Sequence, residues 1–257
     1  MKNLNEIING KLNLVWEEQI LDRNPFALSN QENPQGFILG GQPGAGKSSL
    51  TEKIKNNLHN NILEINGDNF RKYHPDYENL QKEKGQDSSI YTQEFAAKMA
   101  NTILSKAINE KYNIVIEGTF RTVETPIRTL KQLKDNGYKT NVLIQTCKQE
   151  ISWASCLERY EKALKNDPNE ARFTPKEHHD LVVTNLAKNV KEVAKSGLVD
   201  NMQVFARIPV KEKPNEFTQK EIYNSNSSKK MVNSATIEKH IFGERKISLD
   251  NGLSNGL

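Results

Sequence analysis

Between Gly36 and Leu50 the sequence reads Gly36-Phe37-Ile38-Leu39-Gly40-Gly41-Gln42-Pro43-Gly44-Ala45-Gly46-Lys47-Ser48-Ser49-Leu50. A short apolar run breaks into glycines and ends in Lys-Ser, matching G-x-x-x-x-G-K-[ST] from Gly41 to Ser48. Each part has a physical task. Glycines let backbone N–H groups curl around a phosphate without Cβ clashes. Lys47 is expected to reach the β- and γ-phosphates and Ser48 to ligate Mg²⁺. A helix opening at Ser48 would aim its N-terminal dipole at the anion. The stretch Gly41, Gln42, Pro43, Gly44, Ala45, Gly46, Lys47, Ser48 and Ser49 is therefore read as the binding loop for ATP.

Such a loop is shared by ATPases, GTPases and kinases. No Asn-Lys-x-Asp run for guanine recognition occurs, and the nearest motor-type acidic strand end is Ile114-Val115-Ile116-Glu117. What the chain offers are carboxylates past two predicted strands, Asp68 and Glu117, and two downstream guanidiniums, Arg159 and Arg172. A small-molecule kinase needs that set: a carboxylate to orient and deprotonate an acceptor hydroxyl, and cations to stabilise the transferred phosphoryl group.

The elements that must position these groups follow from periodicity. Buried strands are expected at Phe37-Ile38-Leu39, Asn61 to Ile65, Ile114-Val115-Ile116, Val142-Leu143-Ile144 and Met202 to Ala206. Helical spacing appears at Leu50/Ile54/Leu58, from Tyr91 to Glu110, from Pro126 to before Gly137, and from Ile151 to about Asn166. Thr174-Pro175-Lys176-Glu177 reads as a capping box opening a helix that runs to Gly197. Phe70 to Ser89, interrupted by His74-Pro75 and Gly85, reads as a polar surface excursion. Strands alternating with helices imply a parallel sheet covered on both faces, an α/β fold of the P-loop kinase type. Ligands bind such sheets at the carboxyl ends of the strands, where Asp68 and Glu117 are expected.

Residues 1–35 are expected to form one short amphipathic helix (Leu4, Ile7, Ile8, Leu12) and a linker from Arg23 to Gln35. Residues 36–210 form the kinase domain, and 211–257 a polar C-terminal extension with one short helix near Ala235 to Phe242. The hydrophobic fraction is 35%, the charged fraction 26% and the net charge +4, with lysines scattered rather than blocked. A small polyanionic substrate satisfies that balance, so nucleic acid is not required as a partner. Cys147 and Cys156 lack metal-ligand spacing and read as buried thiols. No secretory signal and no membrane-length apolar run occurs, which makes the cytoplasm the expected location.

Five segments together resemble one family. They are Gly40 to Ser48; Asp68-Asn69-Phe70-Arg71 with His74-Pro75; Ile116-Glu117-Gly118-Thr119 with Arg121-Thr122; Glu158-Arg159-Tyr160-Glu161; and Ala171 to Asp180. In order and separation they resemble the zeta toxins, UDP-N-acetylglucosamine kinases of toxin–antitoxin systems, over roughly Gly36 to Ala206. The resemblance implies that Asp68 takes the proton from the 3′-hydroxyl of the amino sugar. It further implies that Glu117, Thr119, Arg121 and Thr129 contact the substrate. Arg159 and Arg172 would clamp phosphate, with Arg172 on a lid-like loop from Asn166 to Phe173. A protein antitoxin covering the nucleotide site is the implied partner. The chain departs from the pattern at Asn101, where an acidic residue is common, and at Phe120 and Phe173. These departures leave open a kinase for another small alcohol, nucleoside or nucleic-acid end. A regulatory nucleotide-binding module without catalysis is the reading of a different class; two arginines and a strand-end aspartate exceed what it requires.

Overall fold

A computed structural model describes residues 3–21, 28–166 and 171–243. Six strands form one sheet in the order β2-β3-β1-β4-β5-β6. They are β1 (Gln35–Gly40), β2 (Leu63–Ile65), β3 (Ile114–Glu117), β4 (Lys139–Thr146), β5 (Asn201–Val210) and β6 (Lys213–Asn224). The first five are mutually parallel, and β6 runs antiparallel to β5. β1 thus sits between β3 and β4, where the chain direction of the winding reverses. The open end of that central strand is the site position that parallel sheets provide.

Strand alternation sorts the core into two layers. Ile38, Ile65, Val142, Ile144, Met202 and Val204 face one way into the larger cluster. There they meet α5 (Gln93–Asn109), α6 (Glu124–Asp135), α8 (Lys176–Lys195) and α9 (Ser234–Phe242) through residues such as Met99, Leu130, Leu186 and Ile237. Leu39, Val115, Leu143 and Phe205 face the other way, against Leu50 and Ile54 of α2 (Ser48–Asn57). Helices on both faces make this the expected α/β architecture.

The N-terminal helix α1 (Leu4–Trp16) opens with a capping box, Asn3 accepting from the Glu6 N–H and Glu6 accepting from the Asn3 N–H. It buries Ile8, Val15 and Trp16. Part of the expected linker, residues 22–27, lies outside the described residues.

Three local expectations differ from the structure. The stretch after β2 is not a surface excursion: a 3-10 turn (Gly67–Tyr73), α3 (Tyr77–Lys84) and α4 (Ser88–Tyr91) fold back over the sheet end, burying Phe70 and Tyr73. Polar residues dominate there because the inner side faces a polar cleft rather than the core. The boundary placed at position 210 falls between β5 and β6, which are hydrogen-bonded neighbours. β6 reads as polar because an edge strand exposes much of its length. The capping box at Thr174 does not form: Pro175 caps α8 without a side-chain bond, and the Thr174 hydroxyl instead accepts from Arg159.

Candidate active site

The loop after β1 takes its shape from glycines with no room for a side chain. Gly41 has φ +145° and Gly44 φ +77°, and a Cβ on either would stand 2.0 Å from the carbonyl oxygen of Gln145 or Ser152. Gln42 locks the loop to β4: its side-chain amide donates to the Cys147 carbonyl at 2.7 Å and accepts from Thr146 at 3.1 Å. Gln42, Pro43 and Ala45 are buried, so their part in the site is to fix the backbone. Helix α2 begins without a side-chain cap at Lys47, so its N-terminal end is open to an anion. This cradle and its uncapped helix fit a nucleotide phosphate chain.

Lys47 is buried and curls over the loop, donating to the Gly41 and Gln42 carbonyls at 3.2 and 3.4 Å. Its ammonium lies 3.6 Å from a Glu117 carboxylate oxygen. Burial pulls the Lys47 pKa down; Glu117 opposes this, and Arg159 and Arg172 add to the fall. Glu117 ends β3 and also accepts from the Asn66 side chain at 3.1 Å. Asn66 in turn accepts from the Asp68 N–H at 3.1 Å. One asparagine thus spaces the two strand-tip carboxylates.

Asp68 stands between two guanidiniums. Arg71 donates to Oδ1 at 2.9 Å, and Arg172 pairs with Oδ2. Arg71 is itself fixed by the Ser89 carbonyl at 2.6 Å and the Thr92 hydroxyl at 2.9 Å. Burial lowers the pKa of Arg71, and lowers that of Arg172 to about 10, which leaves Arg172 cationic at neutral pH. Phe173 seats the Arg172 segment on α7 (Gln149–Asn166) through edge contacts with Trp153 and Tyr160, at 6.5 and 5.2 Å between ring centroids. Residues 167–170 of the expected lid-like loop lie outside the described residues.

Lys47, Ser48, Asp68, Glu117, Arg159 and Arg172 line one cleft of about 710 Å³, with Gly44 and Gly46 at its floor. Ser48 is exposed and lines the same cleft as the Asp68 and Glu117 carboxylates. Oxygen donors of this kind, few and leaving room for phosphate oxygens and water, suit Mg²⁺. Thr119, Arg121 and Thr129 are not part of that lining. Arg121 follows β3 and lies 3.3 Å from His178 Nδ1, while Thr129 is buried on α6. His178 has its pKa lowered by burial, then by Arg121, Arg172 and Arg71. Ser49 lies outside the cleft lining, held by Gly46 and Gln219. Asn101 is exposed on α5.

Sequence reasoning assigned no role to Asn66, Arg71 or Arg207. Asn66 and Arg71 flank Asp68 at short range, a signal that was present; Arg207 becomes visible only through β5 pairing. A Ser152–His179–Asp180 string has contacts of 2.8 and 3.0 Å. Ser152 is fully buried inside α7, so the string clamps α7 to α8 and offers no open nucleophile.

A phosphate loop at the end of a central parallel strand, with carboxylates and guanidiniums around it, defines a kinase-type phosphotransferase with a P-loop. Residues 17–228 match the zeta toxin family. The chain is 40% identical over 178 residues to toxin PezT of Streptococcus pneumoniae, covering 69% of this chain and 70% of that protein. Toxin zeta of Streptococcus pyogenes is 35% identical over 217 residues, 84% of this chain and 71% of that one. A solved structure from the PezAT toxin–antitoxin system of Streptococcus pneumoniae superposes with a TM-score of 0.76 at 28% identity, covering 95% of this chain and 89% of that one. The chain belongs to the zeta toxin family.

Proposed function

We propose that the protein transfers the γ-phosphoryl group of ATP to the 3′-hydroxyl of the amino sugar of UDP-N-acetylglucosamine. The reading is carried by one observation: Asp68, Lys47, Arg159 and Arg172 line a single cleft at the tips of β1 and β2. Asp68 accepts the acceptor's proton as its oxygen attacks the γ-phosphorus. The bond from that phosphorus to the β-bridging oxygen breaks and ADP leaves. Lys47, Arg159 and Arg172 hold the charge that spreads over the transferred group, which is most of the catalysis such transfer needs. Arg172 serves in that role after leaving Asp68. Mg²⁺, held through Ser48 and phosphate oxygens, would supply charge neutralisation. Glu117 in the cleft, and Thr119, Arg121 and Thr129 beyond its lining, are assigned to the substrate; the Arg121 guanidinium, braced on His178 Nδ1, offers donors for its diphosphate.

Kinship with PezT and zeta toxins supports a place in a toxin–antitoxin system, with a protein antitoxin covering the nucleotide site and a cytoplasmic target in cell-wall precursor supply. No helix among the described residues is long and apolar enough to cross a membrane. Incubation with ATP, Mg²⁺ and UDP-N-acetylglucosamine followed by mass spectrometry should show a product heavier by one phosphate. A folded, ATP-binding protein that leaves this sugar nucleotide unchanged overturns the substrate assignment. Expression should arrest growth and Lys47→Ala should not; equal growth of both would count against toxicity.

A further inference from the structure

β5 brings one more guanidinium to the phosphate loop. Arg207 NH1 donates to the Gly44 carbonyl at 3.2 Å and to Ser155 Oγ at 3.1 Å. Its guanidinium carbon lies 3.8 Å from the centroid of the Phe217 ring on β6. Arg207 lines the same cleft as Gly44, Gly46 and Lys47. Its Cδ is the nearest atom a Cβ on Gly46 would meet, at 3.6 Å. Two residues along β6, Gln219 donates to Ser49 Oγ at 3.2 Å and to Gln145 Oε1 at 2.7 Å. The antiparallel edge strand therefore grips the binding loop and the first turn of α2 from one side.

A guanidinium is a planar fork with five N–H donors. Here NH1 engages the loop, and stacking on Phe217 fixes the plane. Nε and NH2 make no hydrogen bond to the protein among the described residues. We propose that Arg207 positions the nucleoside triphosphate: it sets the Gly44–Gly46 curve and places a fixed positive charge against the phosphates. Phe217 acts through it by holding the fork flat. This rests on reading the cleft as the nucleotide site and names a residue of that site from outside the sequence motif.

The test measures ATP affinity directly by titration calorimetry, with thermal unfolding of each variant alongside. Arg207→Ala should bind ATP about tenfold or more weakly, as loss of hydrogen bonds to a charged group predicts. Arg207→Gln keeps a planar donor for the Gly44 carbonyl but no charge, so it should fold like the parent and still lose most of that affinity. Arg207→Lys keeps charge without the fork and should fall between. Should Arg207→Ala not fold, the Gln and Lys variants carry the measurement. Arg207→Gln binding ATP within twofold of the parent overturns the proposal, as does weakening that disappears once the unfolded fraction is subtracted. A parent protein that binds no ATP overturns it together with the kinase reading. If the parent binds ATP, Arg207→Gln does not, and UDP-N-acetylglucosamine stays unmodified, the Arg207 assignment stands and only the acceptor falls.

Discussion

Arg172 is paired with Asp68 in the cleft, its guanidinium meeting Oδ2 while Arg71 holds Oδ1. Both oxygens of that carboxylate are therefore engaged by guanidiniums. Moving Arg172 onto a phosphoryl group would free one oxygen of Asp68 and keep the other aligned by Arg71.

Asp68→Asn should therefore lower kcat by about 10²–10⁴-fold, the usual range for a lost general base. Arg71→Ala should cost less, about tenfold, through misalignment of Asp68. In the double variant the Arg71 effect should vanish, because groups acting as one unit are not additive. Steady-state kinetics on the four proteins checks this, and independent, multiplying effects would refute it.

The surroundings of Lys47 are on balance unfavourable to its charge, burial holding its folded pKa below the ordinary 10.5. Between those two values the unfolded chain binds more protons, so stability gains with rising pH across that window. Lys47→Met should melt higher than the parent at pH 7 while losing turnover, and the gap should narrow as pH approaches 10.5. Thermal unfolding of both proteins at several pH values reads the effect.

His178 is depressed below 6.5 by burial and by the surrounding arginines. As pH falls through 6.5 the unfolded chain takes up the proton first, and stability is lost down to the folded pKa. His178→Gln should flatten the melting temperature between pH 7.5 and 5.5. His74, also depressed by burial, should leave part of the slope in place.

Gln42 satisfies a carbonyl and a hydroxyl inside the protein. Gln42→Ala strands both and should cost about 1–3 kcal/mol by chemical denaturation. Because the same bonds hold the loop, affinity for ATP should drop as well.

Much of this was legible because the chemistry sits where periodicity breaks. Glycines after an apolar run, and acids after Ile65 and Ile116, announce strand ends facing a ligand. The five parallel strands and the long helices could be read because each buries a regular stripe. β6 could not: an edge strand pairs through its backbone, and its side chains are largely polar. The cap after β2 escaped for a related reason, since its inner residues such as Arg71 and Thr92 face a polar cleft and leave no apolar stripe. Thr174 was misread as a helix cap because sequence cannot show that Arg159 claims its hydroxyl.

Phe120 adopts φ +56°, a left-handed conformation that ordinary side chains avoid. Its ring packs where a Cβ on Gly40 would stand, and Asn189 on α8 donates to its carbonyl at 2.9 Å and to that of Arg121 at 3.0 Å. The turn between Thr119 and Arg121 is thus cast in place by the fold itself. Any change in its contour must break the Asn189 bonds rather than flex a loop.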